Sequence, residues 1–348
     1  MKIKNFEINK ESKVFIVAEL SANHNGKIDI AIETIKAAKR AGANAIKLQT
    51  YTPDTMTIRS NKKDFIINNG SIWDGENLYN LYKKAYTPWE WHEKLFKVAD
   101  DEGLVCFSTP FDKSSVDFLE NLDTPAYKIA SFEITDISLI EYIASKGKPV
   151  IISTGIAKEE DIKLALKTCM DVGNNEIAIL KCTSSYPAPI SESNMVMIKK
   201  YADDFNVIIG LSDHTIGSIA PVVATCFGAK IIEKHFILDR SIGGPDSTFS
   251  MNEMEFKEMV KSVREAEIAI GKIDYNLSNK QIKGKLFSRS LYFVQNIKSG
   301  DIITEKNVKS IRPGFGLHPK FMKDVLGKKY VKDAEKGDRL LIENIIMK

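Results

Sequence analysis

The sequence lacks several features that mark large classes of proteins. None of its apolar runs approaches the length of a transmembrane helix, and the N-terminus lacks the apolar core of a signal peptide. The four cysteines show no C-x-x-C spacing and are predicted to be reduced core residues. The 49 basic residues are interspersed with 46 acidic ones, so no basic cluster forms. These absences predict a cytoplasmic protein that binds neither membranes nor nucleic acid.

The chain does contain a repeated unit of a short apolar run, a polar loop and an amphipathic helix. Eight such runs read as strands, because continuous apolar segments suit a sheet covered on both faces. They are Val14–Leu20, Ala45–Tyr51, Val105–Pro110, Ala126–Ser131, Pro149–Thr154, Ile177–Thr183, Val207–Leu211 and Ala229–Ile232. Eight units over roughly 260 residues predict an α/β fold of the (β/α)₈ TIM-barrel type. The alternative is an open doubly wound sheet, but the glycine-rich turn that would mark its nucleotide site is absent.

A different pattern follows Gly271. Residues 289–295 alternate like a strand, and the segment Ile297–Ile303 is echoed by Ala334–Leu341. This weak repeat predicts a small β-rich module of about 60 residues. We therefore predict a catalytic barrel over residues 1–275, a linker over 276–285 and a C-terminal domain over 286–348.

The segment from Thr52 to Tyr86 is unusually long for a loop between a strand and the next helix. A long loop at this end of a barrel usually covers the site. The following helix is predicted to start with Thr87 as its N-cap, because Pro88 and Glu90 complete a capping-box pattern.

Two of the five histidines, His214 and His235, follow matching ends of consecutive predicted strands. Neutral imidazole is a common ligand of divalent metals, so the pair predicts a shared metal ion if the strands are neighbours. The alternative is that both are hydrogen-bonded core histidines.

Two lysines, Lys47 and Lys128, lie within apolar strands, where a charge is costly unless it meets an anion. Hydroxyl side chains at other strand ends complete a donor-rich mouth suited to a phosphate and a carboxylate. There are two alternatives to anion binding by these lysines. Each lysine could pair with an internal acid, or one of them could form a Schiff base as in some aldolases.

A metal ion beside such a mouth can polarise an aldehyde, and Glu19 at the first strand end can act as general acid or base. The residues alone thus predict carbon–carbon bond formation between an aldehyde and an anionic donor. The non-enzymatic alternative is that the barrel is a scaffold and the C-terminal module is a binding unit.

An ordered set of motifs along nearly the whole chain resembles the sialic acid synthase family. The motifs are Ala18–Gly26, Lys47–Thr50, Phe107–Phe111, Lys128–Ser131, Ile152–Gly155, Cys182–Pro187, Gly210–Thr215 and Glu233–Phe236. Two further segments, Arg289–Leu291 and Ile311–Gly314, resemble the antifreeze-like (SAF) domain of that family. The resemblance implies condensation of phosphoenolpyruvate with an acetamido sugar.

The family pattern also implies roles for individual residues. It makes His214 and His235 the ligands of a divalent ion, typically Mn²⁺, with Mg²⁺ or Co²⁺ as alternatives, and Glu19 the acid/base group. Phosphoenolpyruvate would be held by Lys47, Thr109, Lys128, Ser131, Ser153, Ser184 and Ser212, of which Ser184 stands where related synthases often carry Asn. The sugar would face Gln49, Glu133, Tyr186 and Asp246, and Arg312 would reach it from the partner subunit of a domain-swapped homodimer.

Several segments resemble the branch of the family that uses 2,4-diacetamido-2,4,6-trideoxy-L-altrose. They are Trp73–Gly75, Leu78–Tyr79, Tyr86–His92, Ser241–Ser250 and Gly316–Lys320. Members that use N-acetylmannosamine or the legionaminic acid precursor share the catalytic core and remain the alternatives.

Overall fold

Buried apolar runs form the strands of a closed parallel barrel in the computed structural model, which describes residues 1–68 and 70–346. The strands are β1 (Phe15–Glu19), β2 (Ala45–Thr50), β3 (Val105–Pro110), β4 (Tyr127–Ile129), β5 (Val150–Ser153), β6 (Ile177–Cys182), β7 (Ile208–Asp213) and β8 (Ile231–His235). They follow one another around the barrel in chain order, and β8 pairs with β1 to close it. The predicted TIM-barrel fold is confirmed, and the open sheet is excluded.

Amphipathic helices cover the outside of the barrel. Their apolar faces pack on the outward side chains of the strands, as Ile35 and Ala38 of the first helix do. The helices of this unit are Ile28–Arg40, Pro53–Met56, Leu78–Ala85, Trp89–Asp101, Lys113–Asn121, Ile137–Ala144, Glu159–Asp171, Val196–Asp204, Ile219–Cys226 and Glu253–Ile270. Short 3₁₀ turns lie at Lys63–Phe65, Ser131–Thr135, Ile190–Glu192 and Arg240–Ile242.

A two-stranded hairpin, Lys2–Ile3 with Phe6–Glu7, precedes the barrel and was not predicted. Its residue Ile3 and the following Ile8 are buried against the inward residues Phe15 and Phe107. Each buried isoleucine contributes roughly 1.5–3 kcal/mol by leaving water. The amino-terminal end of the barrel is therefore filled with apolar side chains.

The long segment after β2 has structure of its own. It contains the helices Pro53–Met56 and Leu78–Ala85, and the N-cap of the second is Asn77, whose side chain accepts from the Tyr79 amide. The predicted cap at Thr87 is wrong: the next helix runs Trp89–Asp101 with Pro88 as its N-cap. The Thr87 hydroxyl lies 3.3 Å from His24 Nε2 instead.

The chain divides into two compact units, Met1–Gly271 and Lys272–Lys348. The second contains the antiparallel strands β9 (Ser290–Phe293) and β10 (Val308–Ile311) around a separate apolar core. Its helical segments are Asn279–Gly284, Lys285–Phe287, Pro319–Phe321, Met322–Val325 and Ile342–Asn344.

The two echoing segments of the C-terminal unit form the same turn. In the first, the Lys298 amide donates to the Asp301 carboxylate at 2.8 Å, and in the second the Glu335 amide donates to Asp338 at 2.8 Å. The turns are joined by an antiparallel bridge between Ile297 and Ala334. The weak sequence repeat therefore corresponds to a structural repeat.

None of the helices formed by residues 1–68 and 70–346 has the length and apolar character needed to cross a membrane.

Candidate active site

The carboxyl ends of the barrel strands bring together the polar residues predicted from the sequence. In parallel register, Glu19 on β1 lies beside Lys47 on β2 and beside His235 on β8. Because parallel strands end at the same face, the remaining strand-end residues join this mouth. The predicted residues carried by the barrel unit are Glu19, Lys47, Gln49, Thr109, Lys128, Ser131, Glu133, Ser153, Ser184, Tyr186, Ser212, His214, His235 and Asp246. Arg312 is an exposed residue of the C-terminal unit.

The centre of the mouth is a buried set of two ammonium groups and two carboxylates. Lys47 forms an ion pair with Glu19, its Nζ lies 3.7 Å from Glu233 Oε1, and it donates to Thr109 Oγ1 at 3.1 Å. Lys128 Nζ lies 3.9 Å from the same Glu233 oxygen and donates to Ser153 Oγ at 2.6 Å. The sequence left open whether the buried lysines pair with internal acids. In the structure both lysines do so.

Burial and charge set the protonation of these groups in opposite directions. Burial raises the pKa of Glu19 to about 7, although Lys47 opposes the shift. Burial alone would also raise the pKa of Glu233, but Lys128 and Lys47 together lower it. Glu233 is therefore the better counterion, and Glu19 is balanced between its acid and base forms near neutral pH.

His214 and His235 are neighbours, with ring centroids 5.2 Å apart. His214 Nδ1 lies 3.0 Å from the Thr183 carbonyl, which accepts if this nitrogen carries the proton. His235 Nδ1 is buried without a hydrogen-bond partner among the described residues, and Asp246 Oδ2 lies 3.7 Å away. Burial lowers the pKa of His235 well below its usual range, so its ring is neutral.

A neutral imidazole with an unpartnered buried nitrogen beside a second imidazole fits a divalent ion. Within residues 1–68 and 70–346, however, no group of three or more His, Cys, Asp or Glu side chains is arranged to hold a metal. The described residues would thus offer such an ion two imidazole ligands, from His214 and His235.

Hydroxyl groups line the side of the mouth next to Lys128. Ser131 Oγ accepts from the Gly155 amide at 3.1 Å, and Ser212 Oγ donates to Glu233 Oε1 at 3.2 Å. A Cβ at Gly155 would lie 2.7 Å from Ser131 Oγ and would overlap the Ser184 hydroxyl. Gly155 thus lets two predicted ligand residues approach each other closely.

Aromatic rings border the histidine side. Tyr186 lies 4.3 Å from the His214 ring and 5.6 Å from the ring of Trp73, whose indole donates to the Pro245 carbonyl at 3.3 Å. Phe249 lies 5.0 Å from the His235 ring. The long segment after β2 therefore contributes Trp73 to the border of the mouth.

Three contributors were missed or given no role by the sequence reasoning. Glu233 was named only as the first residue of the motif Glu233–Phe236, and its position between two lysines depends on the barrel register. Ser21, which contacts both Gln49 and Asp246, and Phe249 lie in segments that resemble the family, but no role was predicted for either. The roles of the predicted site residues stay predictions.

The whole chain was also compared with known proteins. The model of the NeuB family matches residues 34–275, and the SAF domain model matches residues 288–345. The chain belongs to the NeuB family. This membership confirms the resemblance to sialic acid synthases that the ordered motifs indicated.

Relatives of this NeuB family member include named synthases. It is 52% identical over 340 residues to a pseudaminic acid synthase of Campylobacter jejuni, covering 98% of each chain. It is 34% identical to an N,N'-diacetyllegionaminic acid synthase of Legionella pneumophila, covering 95% of this chain and 94% of the relative. The crystal structure of an N-acetylneuraminic acid synthetase from Leptospira borgpetersenii superposes with a TM-score of 0.73 at 28% identity, covering 82% of this chain and 94% of that one.

Proposed function

We propose that the chain is a pseudaminic acid synthase, a transferase that condenses phosphoenolpyruvate with 2,4-diacetamido-2,4,6-trideoxy-L-altrose and water and releases phosphate. The observation that carries this proposal is the pair of buried lysines that converge on Glu233 beside two neighbouring histidines. The choice among sugars is supported by the 52% identity to a pseudaminic acid synthase, against 34% to a legionaminic acid synthase.

Phosphoenolpyruvate would occupy the lysine side of the mouth. Its phosphate and carboxylate would be bound by Lys47 and Lys128, with hydrogen bonds from the hydroxyls of Thr109, Ser131, Ser153, Ser184 and Ser212. Ammonium groups desolvated in this way bind an anion more strongly than exposed ones, since the local dielectric is low. Glu233 Oε1 lies 3.7 Å from the Lys47 ammonium and 3.9 Å from the Lys128 ammonium, and it offsets part of the cost of burying them when no substrate is bound.

The reaction then needs one proton donor and one proton acceptor. C3 of phosphoenolpyruvate attacks the aldehyde carbon, and protonated Glu19 gives its proton to the developing alkoxide. The positive charge at C2 is stabilised by Glu233 and by the carboxylate form of Glu19. Water adds to C2 and gives one proton to Glu19. The bond between C2 and the phosphate oxygen then breaks, and the proton left on the new hydroxyl passes to the departing phosphate. Phosphate leaves and the keto group forms.

His214 and His235 would hold a divalent ion, and we propose Mn²⁺, with Mg²⁺ or Co²⁺ as alternatives. When bound, the ion supplies Lewis-acid polarisation of the aldehyde. The unpartnered Nδ1 of His235 and the neutral state of its ring support this assignment.

The sugar would lie between the histidines and the aromatic border, facing Gln49, Glu133, Tyr186 and Asp246. Glu133 Oε2 is a buried acceptor without a hydrogen-bond partner among the described residues, as expected of a group that receives a substrate donor.

The test is to incubate the protein with phosphoenolpyruvate, Mn²⁺ and each of three sugars in turn, and to measure phosphate release. The sugars are the altrose derivative named above, the legionaminic acid precursor and N-acetylmannosamine. We expect release with the altrose derivative at a kcat/KM at least tenfold above the other two. Preference for another sugar would assign the chain to the alternative synthase, and release with none would refute the proposal.

Arg312 would complete the sugar site from the partner subunit of a domain-swapped homodimer. Fully exposed apolar residues at the start of the C-terminal unit support an interface there, since Ile273 and Tyr275 are 96% and 97% exposed. Arg312→Ala should raise the sugar KM with little change in kcat. At sugar concentrations below the raised KM, mixing Arg312→Ala with Glu19→Ala subunits should give more activity than the sum of the two variants, because one site of the mixed dimer carries both intact residues. Additive activities in the mixture would contradict the swapped arrangement.

A Schiff-base aldolase is the second candidate, because burial lowers the pKa of Lys128 as such chemistry requires. Borohydride added during turnover would label Lys128 in an aldolase and leave a synthase unmodified. We further propose a cytoplasmic location, and a product used in bacterial surface glycans such as glycosylated flagellin.

A further inference from the structure

Ser21 lies at the centre of a buried hydrogen-bond chain that links three residues of the candidate site. Its hydroxyl donates to Asp246 Oδ2 at 2.5 Å and accepts from Gln49 Nε2 at 2.9 Å. The same Gln49 nitrogen donates to Glu19 Oε1 at 3.1 Å. Ser21 is only 3% exposed and has a φ of 48°, in the left-handed region that serine rarely adopts.

The direction of this chain fixes the orientation of the Gln49 amide. A hydroxyl has one hydrogen, and Ser21 donates its own to Asp246 Oδ2. Ser21 therefore offers Gln49 a lone pair, and Gln49 must turn its NH₂ group towards it. Both hydrogens of the amide are then used, one by Ser21 and one by Glu19.

We propose that Ser21 is a positioning residue for sugar recognition, which holds Gln49 so that its carbonyl oxygen Oε1 is the group presented to the substrate. A carbonyl accepts, so the matching substrate group is a donor, either a hydroxyl or an acetamido N–H. A flipped amide would present N–H donors there and would reject that group. The inference rests on the proposed function, because it assigns Gln49 to the sugar.

The test compares Ser21→Ala, Ser21→Gly and Gln49→Ala with the double variant Ser21→Ala/Gln49→Ala in the phosphate-release assay. Alanine removes the hydroxyl and keeps the side-chain carbon, whereas glycine also relieves the left-handed backbone. We expect both Ser21 variants to raise the sugar KM about three- to tenfold, the usual effect of one hydrogen bond, with the phosphoenolpyruvate KM unchanged within twofold.

The double variant shows whether Ser21 acts through Gln49. If it does, Ser21→Ala adds nothing to the sugar KM once Gln49 is alanine, since the two effects share one contact. A full additional effect in the Gln49→Ala background, or a wild-type sugar KM in Ser21→Gly, would overturn the inference. A wild-type protein that releases no phosphate with any of the three sugars would instead defeat the proposed function, and this inference with it.

Discussion

Lys234 and Asp213 form a buried ion pair in which Lys234 Nζ lies 2.5 Å from Asp213 Oδ2, with side chains 1% and 2% exposed. Each residue directly precedes one of the two neighbouring histidines. Side chains alternate along a strand, so the pair lies on the opposite side of the barrel wall from the histidine rings. Lys234 also donates to the Thr215 carbonyl at 2.5 Å. The pair therefore joins the segment that carries His214 to the strand that carries His235.

Breaking this pair should destabilise the barrel strongly. Lys234→Met leaves Asp213 buried and without its cation, which typically costs about 3–5 kcal/mol. The double variant Asp213→Asn/Lys234→Met removes both charges and should recover most of that loss. Urea unfolding measures both free energies, and a single variant as stable as the wild type would show that the ion pair does not hold the two strands together.

Glu133→Gln should stabilise the protein at neutral pH and weaken sugar binding. Burial raises the pKa of Glu133 from 4.5 to about 7. Below pH 4.5 the group is protonated in both the folded and unfolded states, so it carries no penalty. As the pH rises from 4.5 to 7 the unfolded state ionises first, and the wild type loses at most about 3 kcal/mol of stability. Solvent reaching this half-buried side chain should reduce that loss.

The stability difference between Glu133→Gln and the wild type should therefore be near zero at pH 4.5 and should grow up to pH 7. Urea unfolding at a series of pH values measures the free energy of unfolding of both proteins. If the two free energies ran parallel against pH, burial would not raise the pKa of Glu133. The sugar KM of the variant should rise, because glutamine offers the substrate one acceptor in place of a carboxylate.

Gly155→Ala should impair phosphoenolpyruvate binding, because the added methyl group displaces the Ser131 and Ser184 hydroxyls. Overpacking of this kind typically costs about 1–3 kcal/mol, which corresponds to roughly five- to 150-fold in KM if it falls wholly on binding. The matched control is Gly284→Ala, where φ is −65° and nothing lies within 4 Å of the new carbon. Steady-state kinetics should show normal KM values for the control. A normal phosphoenolpyruvate KM in Gly155→Ala would show that phosphoenolpyruvate does not bind next to Ser131 and Ser184.

Much of the fold could be predicted because its signals are local. Each barrel strand contains a mostly apolar run, and polar residues near its end mark the face where the site forms. The hairpin formed by Lys2–Ile3 and Phe6–Glu7 escaped prediction because two-residue strands leave no periodic pattern. Thr87 failed as a cap because its hydroxyl contacts His24, a tertiary contact that a capping pattern does not reveal.

The parts of the site that sequence could not supply depend on contacts between distant residues. Ser21 and Asp246 are 225 positions apart, and only the folded chain shows that they share a hydrogen bond. Glu233 was one residue of a family motif, and only the barrel register places it between Lys47 and Lys128. The histidine pair was predictable because both residues end consecutive strands, which are neighbours in a barrel of this type.

The central claim is that the histidine pair and the buried lysines form one metal-dependent site for phosphoenolpyruvate. The most direct measurement is sugar-dependent phosphate release by wild-type protein before chelation, after chelation and after Mn²⁺ is added back, with His235→Ala alongside. We expect chelation to abolish release, Mn²⁺ to restore it, and His235→Ala to stay inactive in both conditions. Full activity of the metal-stripped wild type would contradict the account.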